Sequence, residues 1–336
     1  MTDSLLDDLE SYIRRDPAMR GLISSEAEFG PICQGHFAAA VRSLCEPNLK
    51  VAIATGFFVP GANPSAAETD GPPGAIRLAL ALKAIGHQVV LVTDSHCASA
   101  LRVACRIADF SGELCELDGE EASELEDAAL IQSLGKWADR LIAIERVGPS
   151  HTETSISEQS PDRHVLERFL DQVPEGSRGH CHNMRGETIT DFTGGVHRFF
   201  EWVQKYRPSV KTIAIGDGGN EIGMGCLMWE DIARRLLGPH AAKIACRVAT
   251  DWNIIAGTSN WGGYALAAAV LADHDRLDVL EAWTCEAEER LLESFVADGP
   301  MVDGATRLSE ATVDGLPFIT YIQPWAAIRR RLGLPE

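Results

Sequence analysis

An α/β fold is predicted: a three-layer α/β/α sandwich around a mainly parallel, Rossmann-like sheet, with helices at its N-terminus. Three observations predict it. Short apolar runs recur at Val51-Ala52-Ile53-Ala54, Val89-Val90-Leu91-Val92, Leu141-Ile142-Ala143-Ile144 and Ile213-Ala214-Ile215. Runs of this length are what strands covered on both faces look like. Helical stretches separate them, and strands alternating with helices imply a parallel sheet. Finally, Thr55, Asp94, Glu145, Arg146 and Asp217 all stand where a run ends. The carboxyl ends of parallel strands share one edge, so these residues are expected around one cleft.

The elements follow in order. Residues 1–45 form an N-terminal helical segment packed on the core, with Leu5, Leu6, Leu9, Tyr12 and Ile13 at helical spacing and a second stretch over 25–44. Residues 46–336 form the α/β domain, whose helices are expected at 74–86, 96–108, 121–138 and 192–205. Pro72 and Pro73 suit a helix start, and Asp70 is placed to cap that helix. The polar segment from Gly148 to Arg178, with a helix near 162–172, reads as a lid or as a plain surface loop. A further strand near 244–250, ending at Thr250-Asp251, would add another carboxylate to the edge. The cluster Ser259-Asn260-Trp261-Gly262-Gly263-Tyr264 opens a helix of small residues and either caps and packs it or lines a pocket.

Charge and cysteine usage exclude some classes. The 336 residues carry 49 acids against 30 bases, a formal charge of −19, which speaks against nucleic-acid binding. A few local arginines still suffice to hold one carboxylate. The nine cysteines show no C-x-x-C pair, so neither a disulfide framework nor a zinc site is expected, and a cytoplasmic location fits. Residues 1–16 lack the pattern of a signal peptide, and no apolar run is long enough to span a membrane.

The run Gly216-Asp217-Gly218-Gly219-Asn220-Glu221-Ile222-Gly223 is the most informative segment. Glycines permit close backbone approach to a ligand. The acids and the amide supply hard oxygen ligands, so Asp217, Asn220 and Glu221 are candidates for a divalent cation such as Mg²⁺ or Mn²⁺, or for a substrate ammonium. The loop resembles one in haloacid-dehalogenase-type phosphatases. The first strand, however, ends Thr55-Gly56-Phe57 without the aspartate nucleophile that chemistry needs. Asp94 is the candidate base. Glu68, just before a helix N-terminus at the same edge, Thr55 and Asn260 are candidate substrate contacts. Arg146 and Arg185 are either carboxylate clamps or partners in internal ion pairs. His180 and His182 read as solvated or lid residues.

Four motifs in consistent order resemble the C-terminal domain of the D-glutamate cyclase family. They are Glu68-Thr69-Asp70-Gly71-Pro72-Pro73-Gly74, the Gly216–Gly225 loop, Ala256-Gly257-Thr258-Ser259-Asn260-Trp261-Gly262, and Val302-Asp303-Gly304 with Thr312-Val313-Asp314-Gly315-Leu316. Glu145-Arg146-Val147-Gly148 fits as well. The resemblance implies a carbon–oxygen lyase, a hydro-lyase that closes D-glutamate to 5-oxo-D-proline and water, or runs the reverse. It implies a small acidic amino acid as ligand and neither nicotinamide nor flavin. The N-terminal domain of two-domain relatives does not match here. That leaves open a non-catalytic acid-binding module, a separate N-terminal-domain chain as partner, or a homo-oligomer.

Overall fold

The computed structural model describes residues 2–119 and 123–335. Its main sheet has six parallel strands: β1 (Lys50–Thr55), β4 (Gln88–Asp94), β5 (Glu113–Leu117), β6 (Arg140–Ile144), β7 (Lys211–Gly216) and β8 (Trp252–Ile255). A two-stranded antiparallel hairpin, β2 (Phe58–Val59) with β3 (Ala66–Ala67), stands over the end of β1. The order of the main sheet is β5-β4-β1-β6-β7-β8. The chain winds outward from β1 in one direction and from β6 in the other. A crevice therefore opens between those two strands at their carboxyl ends.

Residue alternation explains the layers. Val51, Ile53, Leu91, Ile142, Ile144, Ile213 and Ile215 face one core. Ala52, Ala54, Val92, Leu141, Ala143 and Ala214 face the other. Both faces are covered, so the strands read as unbroken apolar runs. The first core takes the helices Asp3–Ile13, His36–Leu44, Pro72–Ala84 and Ser259–Asp273. The second takes Glu124–Trp137, Arg163–Gln172, His197–Tyr206 and Trp229–Arg235. Residues 121 and 122 of the expected 121–138 helix lie outside the described residues. No helix among the described residues is long and apolar enough to cross a membrane.

Two helices with adjacent N-termini frame the crevice. Pro72–Ala84 and Ser259–Asp273 touch backbone to backbone, because a Cβ on Gly263 would lie 2.7 Å from Gly74 Cα. They cap each other. Asp70 accepts from the Ser259 and Asn260 N–H groups at 2.8 Å each, while Asn260 Oδ1 accepts from the Gly71 and Gly74 N–H groups at 3.0 and 2.9 Å. Asp70 thus caps the second helix, where the sequence suggested the first.

The strand expected at 244–250 is not one. Ala241–Ile244 is a short helix, and residues 246 and 249 make only isolated bridges to the polar excursion and the glycine loop. That segment is apolar because it is buried beneath those loops. β8 starts beyond it, so Asp251 sits at the amino edge of the sheet, bonded to the Thr212 N–H at 2.8 Å, and adds nothing to the cleft.

Candidate functional site

A cavity of about 100 Å³ opens at the crevice. The turn after β1 delivers Phe57 and β2 delivers Phe58, while Glu145 follows β6 and Asp217 and Asn220 follow β7. Glu68 enters from the stretch after the hairpin, and Asn183 and Arg185 from the loop that follows the polar segment. Arg20 comes from the N-terminal segment, and Arg307 and Asp314 from the C-terminal loop. The floor is acidic and the rim is basic.

Glycine chemistry shapes the floor. After β7 the chain turns back so that Glu221 accepts the N–H groups of Gly218 and Gly219 at 2.7 Å each and of Asp217 at 3.2 Å. A Cβ on Gly218 would crowd Met184, Asn220 and Glu221. Asn220 Nδ2 donates to the His182 carbonyl at 2.8 Å, which ties the loop after the polar segment to the glycine loop. Glu145, directly after β6, holds a φ of 45°, a conformation few non-glycine residues adopt. Its Oε2 accepts from Ser259 Oγ at 2.6 Å.

The charges do not balance. Glu68, Asp70, Glu145, Asp217, Glu221 and Asp314 crowd around one guanidinium, Arg20, which pairs with Asp217 and, at 2.6 Å, with Asp314. Desolvation and mutual repulsion favour the protonated forms of such acids. Burial, then Glu145 and Asp314, push Glu68 well above its usual range. Burial, then Glu221, does the same to Glu145, and burial and Asp314 push Asp70 up to about 8. Burial also raises Asp314, and Glu221 despite its three N–H donors. Burial disfavours the Arg20 charge, but Asp314, Glu145 and Glu221 outweigh it and hold the guanidinium protonated. Several polar atoms remain without aligned hydrogen bonds: both Asp217 oxygens, Asp314 Oδ2, Glu68 Oε1 and Asn220 Oδ1. Buried polar atoms left this way point to a ligand.

Two groups of carboxylates have the proximity a cation needs. Asp70, Asp217 and Asp314 form one, and Glu145, Asp217 and Glu221 the other, with one oxygen from each member within 4.8 Å of the rest. Asp217 belongs to both.

The structure brings Glu68, Asp217, Asn220 and Arg185 to the cavity, with Glu221 just behind them. Asp94 and Arg146 are at the same edge but hold each other in an ion pair. Asp94 also caps the helix Ser95–Ile107 by accepting the Cys97 N–H at 3.0 Å, and it accepts the Gly194 N–H at 3.2 Å. Arg146 donates to the Gly56 carbonyl at 2.5 Å. Both side chains are 1% exposed and neither lines the cavity, so the geometry offers no free base at Asp94 and no open clamp at Arg146. Asn260 spends its amide on the start of the Pro72–Ala84 helix, through the Gly71 and Gly74 N–H groups, and on the Thr69 carbonyl. Thr55 is buried beside Gly71. His182 is likewise buried, with Nε2 2.8 Å from the Ser177 carbonyl.

Sequence reasoning missed Arg20, Arg307 and Asp314 as site residues, and it placed Glu145 at the edge without a role. The available signal was the Asp-Gly pairs. Asp303 accepts from the Ala305 and Thr306 N–H groups at 2.8 Å, and from Thr312 Oγ1 and the Gly315 N–H at 2.7 Å. It thereby folds the loop that presents Arg307 and Asp314.

The family described as "D-glutamate cyclase-like, C-terminal" matches residues 9–324 of the chain. The human protein "D-glutamate cyclase, mitochondrial" is 28% identical over 342 residues, covering 93% of this chain and 49% of that protein. The chain thus spans about half the length of this curated relative. Among solved structures, an O-ureido-L-serine synthase is 16% identical and covers 75% of this chain and 72% of its own. Its TM-score of 0.21 is too low to carry an argument.

Proposed function

The chain belongs to the D-glutamate cyclase-like C-terminal family, and from that membership and the cleft we propose that it binds D-glutamate and closes it to 5-oxo-D-proline with loss of water, or runs the reverse. One observation carries the proposal. A cavity at the crevice between β1 and β6 combines a floor whose carboxylates crowd around the single Arg20 guanidinium with a rim bearing Arg185 and Arg307. A dicarboxylate with an ammonium group needs that distribution of charge.

Ring closure forms one C–N bond and breaks one C–O bond. Two protons leave the ammonium nitrogen, and one γ-carboxyl oxygen departs as water with both. Asp217 meets the ammonium in this assignment. Glu68, whose raised pKa favours the neutral acid, holds a proton near the departing oxygen. Arg185 and Arg307 grip a carboxylate at the rim. Phe57 and Phe58 narrow the opening, which keeps bulk water from the reacting carbonyl.

A divalent cation fits the same floor. Its oxygens are hard donors, they outnumber the positive charges, and several lack partners. Asp217 with Asp70 and Asp314, or with Glu145 and Glu221, would hold it. Mg²⁺ or Mn²⁺ bound there would draw electron density from a coordinated carboxyl oxygen.

A second reading has its own support. Asp94, the expected base, is held in a buried ion pair with Arg146, so in this reading the cleft binds a small acid without turning it over. Incubating the pure chain with D- and L-glutamate, with and without Mg²⁺ or Mn²⁺, and resolving 5-oxoproline by chiral chromatography decides between them. Turnover of D-glutamate by the chain alone supports the lyase. Binding without turnover under every metal condition supports the second reading.

A further inference from the structure

None of the nine cysteines is in a disulfide, and two from distant parts of the sequence face each other. Cys33 Sγ and Cys226 Sγ are 3.9 Å apart across a sequence separation of 193 residues. Cys33 lies in the bend before the helix His36–Leu44, with a φ of 55°. Cys226 lies in the turn that follows the glycine loop. Neither belongs to a helix or strand, so both backbones can adjust as the sulfurs close to bonding distance, about 2.05 Å. Cys226 is half-buried and reachable by a small reagent.

We propose that Cys33 and Cys226 form a reversible disulfide, a redox site that staples the N-terminal segment to the glycine loop. The partners of the two thiols set the order of events. The Cys33 S–H, then Asn253, stabilise the Cys226 thiolate and hold its pKa below the usual thiol value. The same contact and burial push Cys33 up. Cys226, half-buried where Cys33 is buried, is the thiol that an external disulfide reaches first. It displaces one thiolate from a low-molecular-weight disulfide of the glutathione type and forms a mixed disulfide. Cys33 then loses its proton and attacks Cys226 Sγ, expelling the second thiolate. Two protein thiols are oxidised by two electrons and one external disulfide is reduced to two thiols.

The consequence concerns the cleft. Cys33 belongs to the segment that carries Arg20, and Cys226 closes the loop that carries Asp217 and Asn220. The Arg20–Asp217 ion pair already spans these two segments. A covalent link between the same two segments adds a second tie to that ion pair, although neither cysteine lines the cavity itself.

The experiment uses the full chain equilibrated in mixtures of reduced and oxidised glutathione, quenched with an alkylating agent and mapped by peptide mass spectrometry. Thiols are expected to fall from nine to seven, with one linked peptide containing Cys33 and Cys226. Cys33→Ser and Cys226→Ser should each abolish the link, while the control Cys45→Ser keeps it. The oxidised wild type should also melt higher than the reduced form. Recovering Cys33 and Cys226 as separately alkylated or separately glutathionylated peptides under oxidising conditions overturns the proposal. So does a linked peptide joining any other pair.

Discussion

Replacing Arg146 with methionine is expected to destabilise the fold and leave ligand affinity alone. Arg146 is 1% exposed and pairs with Asp94, whose side chain is equally enclosed. Removing one partner of such a pair leaves an uncompensated buried charge, typically at a cost of about 3–5 kcal/mol. Asp94 keeps the Cys97 and Gly194 N–H donors, which argues for the lower end. The Gly56 carbonyl loses its guanidinium donor, which adds back part of the penalty. For 336 residues, an unfolding entropy of about 2.1 cal/mol/K per residue gives roughly 0.7 kcal/mol/K, so the melting temperature should fall by about 4–7 °C. Differential scanning calorimetry on Arg146→Met, Asp94→Leu and the double variant measures this. The double variant should lose less than the sum of the single losses, because it buries no unpaired charge. Titration with D-glutamate should give the parent affinity for Arg146→Met. Affinity reduced tenfold or more at an unchanged melting temperature would refute the ion-pair account and return Arg146 to the substrate.

The remaining predictions concern the cleft and one buried histidine. Arg185→Ala, which removes an exposed guanidinium bonded to the Ala305 carbonyl, should weaken D-glutamate binding by roughly tenfold to a hundredfold, with the melting temperature little changed; calorimetric titration checks both. Glu68→Gln removes a buried acid whose charged form is disfavoured, so at pH 8 it should melt no lower than the parent while turnover falls at least ~100-fold. Burial, then Arg247, lowers His151 from 6.5 to about 4. Its contribution to stability is full above pH 6.5 and is lost as pH falls toward 4, up to about 3 kcal/mol. Denaturant titrations of His151→Gln across that range should show a shallower loss than the parent, and identical slopes would remove the histidine from the account.

The sequence was most legible where packing is symmetrical. Strands β1, β4, β6 and β7 are enclosed on both faces and leave unbroken apolar runs. β5, at one end of the sheet, alternates in burial and carries Glu113 and Glu116, so its sequence did not stand out. The apolar residues near 244–248 misled because buried loop and buried strand share one composition. The rule that strand ends gather function placed Asp94, Glu145, Arg146 and Asp217 on the correct edge. It could not tell that Asp94 and Arg146 would neutralise each other while Glu145 and Asp217 face a cavity. That difference depends on side-chain direction at the turn, including the positive φ of Glu145. Arg20 and Asp314 are separated by nearly the whole chain, and only folding brings them to one ion pair. Neither lies in a regular element whose periodicity would single it out.

The most direct test of the cleft as the substrate site is calorimetric titration of D-glutamate, with Mn²⁺ present, into the parent and Asp217→Asn. Asp217 belongs to both carboxylate groups, lines the cavity and pairs there with Arg20. The substitution keeps its shape and removes its charge. Affinity is expected to fall by roughly tenfold to a hundredfold while the protein stays folded. Unchanged binding by a folded Asp217→Asn protein would place the ligand elsewhere and contradict the account.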